Sequence, residues 1–168
     1  MSPPNSKPSP SPIPLIYRLT FTYLEPILNL SGFYLYTFDI PKGQATYIPP
    51  AISPYNPATD VIYAQLSGCM LLIFFIQAVF LRYTNDPTAW RMINFALALY
   101  DVRILQGTYA HMVEYGRLDP LGWRLEDWAQ LGFTAGIGAL RVLCAAGVGM
   151  GGGKGRGGGG RGDKGRTA

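Results

Sequence analysis

Apolar and polar stretches alternate along the chain so that four long apolar runs, at residues 15–38, 61–81, 89–112 and 126–148, stand between short polar connections. At about 1.5 Å of rise per residue, each run is long enough as a helix to cross a hydrocarbon layer of about 30 Å. Val61 to Leu81 holds no charged residue at all and is the strongest of the four. The first run is the least orthodox, since it contains Arg18, Glu25 and Pro26; the third carries Asp101, Arg103 and His111, and the fourth Arg141. The pattern predicts an all-α protein, a four-helix transmembrane bundle.

The connections carry the punctuation that such helices need. Pro41, Pro49, Pro50, Pro54 and Pro57 exclude a continuous helix between the first two runs and predict an extramembrane loop. Thr59 and Asp60 are placed to cap the second helix, and Asp86 followed by Pro87 is a start signal for the third. Gly116, Asp119, Pro120 and Gly122 mark the last connection, and acidic residues from Glu126 suit the N-terminal end of the fourth helix dipole. Residues 1–14 form a Pro/Ser-rich leader without a basic n-region or a cleavage site, expected to be flexible and cytosolic rather than a signal peptide. Residues 149–168 are rich in Gly, Arg and Lys, bury nothing, and are expected to be a disordered tail.

Composition sharpens this picture. Charged residues are 14% of the 168-residue chain and hydrophobic ones 48%, against roughly 25% charged in soluble domains. The chain is one domain long. Cys69 and Cys144 both lie inside apolar runs, which argues against a disulfide framework or a zinc site. With four spans, the leader, second connection and tail share one face with Lys7, Arg18, Arg82, Arg91 and five tail residues, whereas the opposite face holds only Lys42, Arg117 and Arg124. The excess of Lys and Arg puts both termini in the cytosol, in an endoplasmic reticulum-type membrane. Trp90, Trp123 and Trp128 fall at expected span ends, where amphipathic rings favour the interface.

The polar residues inside the runs form stripes. Arg18, Thr22, Glu25, Asn29, Gly32 and Tyr36 recur every three or four residues on one helical face. Asn94, Asp101 and Thr108 do so on the third run, and Gln130, Thr134, Gly138 and Arg141 on the fourth. The second run contributes Gln65, Gly68 and Cys69. Gly132 and Gly136 form a GxxxG pair suited to close helix approach, within the chain or in a homo-oligomer. Together the stripes predict a polar seam inside the bundle.

Two readings of that seam stand side by side. In one, Glu25 and Asp101 pair with Arg18, Arg103 or Arg141 and only lock helices together. In the other, the bundle encloses a pocket, and a desolvated carboxylic acid at Glu25 or Asp101 serves as a proton donor to a lipophilic substrate. Pro26 directly after Glu25 deprives a carbonyl one turn earlier of its donor, a feature that often accompanies a cavity.

Other chemistry is absent from the sequence. His111 has no Cys or His at ligand spacing and reads as an interfacial residue. No phosphate loop, dinucleotide fingerprint or nucleophile triad is present, and no cofactor or metal is implied. The tail has RGG-like repeats but no interleaved aromatic residue for stacking, so nucleic acid is not an expected partner.

The segment FTYLEPILNLSG in the first run, the Pro-rich loop, the Gln65-Leu66 pair opening the second run, and Asp101 in a third run entered through a tight turn and Trp90 resemble a family of small fungal integral membrane proteins without an assigned activity. The arrangement is also similar to sterol isomerase and emopamil-binding-type bundles and, more distantly, to the membrane terpene cyclases of fungal meroterpenoid pathways. The chain lacks a second membrane histidine of the isomerase pattern and is shorter than the seven-helix cyclases. The resemblance implies acidic residues acting on lipophilic substrates within the bilayer.

The expected function is therefore binding of a lipophilic small molecule in the seam, with membrane lipids as the surrounding partner. The alternative is an intramembrane acid/base isomerase or cyclase of a terpenoid or sterol-like substrate, with Glu25 as proton donor, Asp101 as base or cation stabiliser, and Asn29, Gln65 and Asn94 as positioning residues.

Overall fold

The computed structural model describes residues 11–150, and the expectations for the start of the leader and most of the tail lie outside the described residues. The described residues are helical with no strand, and four long helical rods dominate them. The first rod runs without a break through α1 (Leu15–Leu19), a π-helical stretch (Thr20–Leu24) and α2 (Glu25–Phe38). A short α3 (Ile40–Ala45) follows. The second rod consists of α4 (Asp60–Phe75), a second π-helical stretch (Ile76–Phe80) and α5 (Leu81–Tyr83); the third is α6 (Pro87–Glu114) and the fourth α7 (Leu125–Ala145). Two helices are long and apolar enough to cross a membrane, Pro57–Tyr83 with 27 residues and Leu125–Ala145 with 21.

Each rod begins and ends for local reasons. Asp39 closes the first rod, and its Oδ1 then accepts from the Lys42 N–H at 3.3 Å to start α3. Thr59 and Asp60 do not cap the second rod: the Thr59 side chain gives no cap bond, and the Asp60 carboxylate is taken instead by the Tyr55 hydroxyl. Asn56 does the capping one turn earlier, accepting from the Ala58 N–H at 3.0 Å. Asp86 behaves as its position before Pro87 predicts, accepting from the Thr88 N–H at 2.9 Å. Gly116, at φ 63°, supplies the left-handed residue that ends α6. At the start of α7, the Arg124 N–H donates to Asp127 Oδ2 at 3.0 Å.

Proline 26 sits within the first rod without breaking it. Having no N–H, it cannot serve the Thr22 carbonyl one turn earlier, and the Arg82 Nη2 from the second rod donates to that oxygen at 2.9 Å. The π-helical stretch just before Pro26 gives the backbone the extra room a proline ring needs.

The rods pair as two hairpins. The first packs closely against the second, and α6 against α7, while backbone contacts between the hairpins are sparse. At one end the hairpins are clamped by an apolar cluster of Ile13, Tyr17, Phe21, Leu81, Trp90 and Cys144, where the Phe21 and Trp90 rings lie 6.5 Å apart and the Tyr17 hydroxyl donates to the Val148 carbonyl at 3.0 Å. Trp90 is thus a core residue, 1% exposed, and not the interfacial ring its position suggests. At the opposite end the Arg124 Nη1 donates to the Ala45 carbonyl at 3.0 Å, tying α7 to α3. Between these two ties the hairpins stand apart and leave space.

The distribution of polarity is inverted relative to a water-soluble core. Leu15, Ile27, Phe38, Val61, Phe75 and Met92 are among many large apolar side chains that are exposed, whereas Thr22, Glu25, Asn29, Gln77, Asn94, Asp101 and Arg141 are buried.

Candidate functional site

The stripes of the first, third and fourth rods face one another across the gap between hairpins. Arg141, 1% exposed, is at the centre. Its Nη2 pairs with Glu25 Oε1 across the hairpins, and its Nε stands 3.3 Å from Asp101 Oδ2 within its own hairpin. The second approach lacks hydrogen-bond geometry, so Asp101 Oδ2 and Arg141 Nε both count among buried atoms without a hydrogen-bond partner, as does Glu25 Oε2. One guanidinium therefore serves two carboxyl groups. Of the counter-charges that sequence offered, Arg141 is the one used: Arg103 is exposed and donates to Gln106 Oε1, and Arg18 forms no ion pair among the described residues.

Gly138 stands directly against the triad. A Cβ placed there would be in ordinary contact, 3.4 Å from Asp101 Oδ2, so alanine fits and a side chain branched beyond it would press on the Asp101 carboxylate. Gly32 packs against Met70, whose sulfur would be in ordinary contact, 3.5 Å from an added Cβ. Gly132 and Gly136, expected to mediate close approach, have nothing among the described residues within 4 Å of an added Cβ.

Beside the triad lies a cavity of about 430 Å³, walled by Glu25 and Asn29 of the first rod, Asp101 of the third, and Gln130, Thr134 and Arg141 of the fourth. The Asn29 amide is oriented by two bonds, donating to Gln77 Oε1 at 2.9 Å and to the Glu25 carbonyl at 3.1 Å. Gln77, 0% exposed, is the second-rod residue that sequence reading missed. It stands in register with Ser67, Met70 and Ile73, all buried, whereas Gln65, Gly68 and Cys69 are exposed on the opposite side. Gln65 therefore does not belong to the site. Asn94 does not line the cavity either: it is 0% exposed, and its Nδ2 donates to the Trp90 carbonyl at 2.9 Å within the same helix.

A second cavity of about 380 Å³ adjoins the first and shares Tyr36, Tyr47, Tyr100 and Ile104 with it. The Tyr36 ring stacks on Tyr63 at 5.9 Å and 11° and meets Tyr47 at 6.3 Å. Gly43 permits this, because a Cβ there would come within 2.8 Å of the Tyr36 ring. Burial pushes the Tyr47 phenol above the ordinary tyrosine range, so it faces the cavities as a neutral hydroxyl. His111 lines this outer cavity near the end of α6, its ring 4.6 Å from that of Tyr115.

The arrangement provides an amphiphilic space with a hydrogen-bonding, net acidic wall at the inner end and a tyrosine collar between two chambers. A family model described as a domain of unknown function (DUF7704) matches residues 10–151. The chain belongs to that family. No curated protein and no solved structure matches it.

Proposed function

For this member of the DUF7704 family, we propose a multi-pass integral membrane protein that binds a lipophilic small molecule between its two helical hairpins. All four rods would cross the bilayer, with both termini in the cytosol of an endoplasmic reticulum-type membrane. The observation that carries this reading is the inverted polarity, apolar side chains outside and a polar cavity within. In water the exposed leucines, isoleucines and phenylalanines would drive association; against lipid tails they are matched, and the polar groups must then turn inward. A space of this size is in the range that encloses most of a small ligand.

A second reading rests on the Glu25–Arg141–Asp101 triad. Two carboxyl groups against one cation leave a surplus that either a proton or a ligand must neutralise. In an acid/base isomerase or cyclase, the protonated member would give its proton to an olefin or epoxide and the ionised one would accept a proton from a neighbouring carbon or stabilise the cation. Glu25 as donor, Asp101 as acceptor and Asn29 as positioning residue fit the cavity wall.

Both readings are tested by purifying the wild type, Glu25→Gln and Asp101→Asn in a mild detergent and identifying co-purifying lipophiles by mass spectrometry. A bound molecule that changes or accumulates in well-folded variants supports a working site, and accumulation of an isomerisable precursor favours the enzyme. Aggregation of both variants, with nothing bound to the wild type, would reduce the triad to helix-to-helix attachment and sink both readings.

A further inference from the structure

The two adjoining cavities differ in charge. The inner one is lined by three carboxyl groups, Glu25, Asp101 and Glu126, against the single cation Arg141. The outer one is lined by Arg103 and Arg117, with His111 and the Thr108 hydroxyl, and by no carboxylate. Neither arginine has its hydrogen-bonding capacity met. Arg117 engages Asp127 through Nη2, but its Nη1 is buried without a partner among the described residues. Arg103 has no carboxylate at ion-pair distance among the described residues and holds only the neutral Gln106 amide.

The position of Arg103 makes this informative. It lies eleven residues before Glu114, where α6 ends, which is about 16 Å of helix. In a bilayer-spanning helix an unpaired guanidinium at that depth is costly and calls for an anion or a water-filled space. Its neighbours in the outer cavity supply donors suited to an oxyanion, and guanidinium groups match phosphate and carboxylate in geometry. The tyrosine collar then offers ring faces and neutral hydroxyls to the part of a ligand that continues inward.

We propose that the outer cavity is an oxyanion headgroup site. The ligand is an anionic amphiphile whose phosphate or carboxylate rests between Arg103 and Arg117, while its uncharged body passes Tyr36, Tyr47 and Tyr100 into the inner cavity. This rests on the lipophile-binding reading above and narrows its ligand to one chemical class. The acidic inner wall rejects a second anionic group and accepts a hydroxyl, which can donate to Glu25 or Asp101. The two ends of the pocket thus orient the ligand in one direction.

The experiment is a titration of the full chain in dodecyl maltoside micelles with oleoyl lysophosphatidate, oleate and the neutral monoolein, followed by tryptophan fluorescence. Trp123 reports on the outer cavity because its Nε1 donates to the Arg117 carbonyl at 2.9 Å. At least one anionic probe should bind tenfold or more tightly than monoolein, and the ratio between the two anions tells a phosphate headgroup from a fatty-acid carboxylate. Arg103→Gln should bring the preferred anion to within about threefold of monoolein, and Arg103→Lys should keep part of the preference. Arg103 is exposed and unpaired, so its variants test the site without disturbing the Asp127 attachment that Arg117 serves. Equal binding of all three probes by the wild type, or an undiminished preference in Arg103→Gln, overturns the headgroup site while leaving lipophile binding intact. Failure of every probe to bind overturns both.

Discussion

The guanidinium of Arg82 donates to the Thr22 carbonyl at 2.9 Å, the oxygen that Pro26 leaves without a helical donor. The same guanidinium lies 4.7 Å from the centre of the Tyr23 ring, so one side chain repairs the proline site and holds the second rod to the first. Removal of Arg82 should leave the carbonyl unpaired and lower stability by about 1–3 kcal/mol. In Pro26→Ala the backbone donor returns, and Arg82→Ala should then cost clearly less. Thermal unfolding of the four proteins of this cycle in detergent measures the coupling; equal costs of Arg82→Ala in both backgrounds would show that the carbonyl is not what Arg82 serves.

Arg141 is the cation on which both inner carboxyl groups depend. Arg141→Met leaves Glu25 and Asp101 buried with no counter-charge and should destabilise by about 3–5 kcal/mol, seen as loss of monodisperse protein on size-exclusion chromatography. Adding Glu25→Gln and Asp101→Asn to Arg141→Met should recover most of the folded yield, since the triple variant buries no charge at the triad. Recovery without ligand binding would separate assembly from the site's chemistry.

The glycines of the fourth rod make opposite predictions. Gly138→Val should reduce folded yield, because its side chain would meet the Asp101 carboxylate. Gly132→Val and Gly136→Val have nothing among the described residues close to the added Cβ and should leave the monomer intact. If the chain self-associates through that face, the same two variants should abolish cross-linked dimer in membranes; persistence of the dimer would remove the GxxxG pair from consideration.

Asn29 and Gln77 are joined by a buried hydrogen bond of 2.9 Å. Gln77→Leu should cost about 1–3 kcal/mol by leaving the Asn29 amide unsatisfied, and Asn29→Leu with Gln77→Leu should cost less than the sum of the singles. Unfolding midpoints for the two singles and the double decide it.

How far the site could be read in advance depended on contrast within each run. The first, third and fourth runs mix polar and apolar residues, so spacing alone placed Glu25, Asn29, Asp101 and Arg141 on inward faces, where they are. The second run is apolar nearly throughout, leaving few polar residues to orient it. Gln65 and Gln77 lie equally far from the two ends of this run, yet Gln77 is the one facing inward and Gln65 is exposed. Gln77 keeps ordinary helical spacing from Met70 and Ile73, both buried, but in a run apolar on every side nothing in the sequence marks that face as the inward one. Asn94 illustrates the converse. Its burial followed from its stripe, but its amide turns back to the Trp90 carbonyl, a local bond that spacing cannot distinguish from a wall of the cavity. The tyrosine collar is illegible for another reason: Tyr36, Tyr47 and Tyr63 come from separate segments that meet only when the first hairpin folds, and Tyr100 joins them from the second.

Because Arg141 lies in the last rod, it is also the last of the triad to be synthesised. Until it emerges, Glu25 and Asp101 have no partner to satisfy them, and a chain arrested after the third rod presents two bare acids to whatever surrounds it. Arrival of the fourth rod is thereby written into the charge balance of the first and third: a molecule lacking that rod carries a mark that the four-rod molecule erases. A chain ending at Gly122 should accordingly be cleared faster in cells than the full-length protein, and neutralising both acids should lengthen its lifetime.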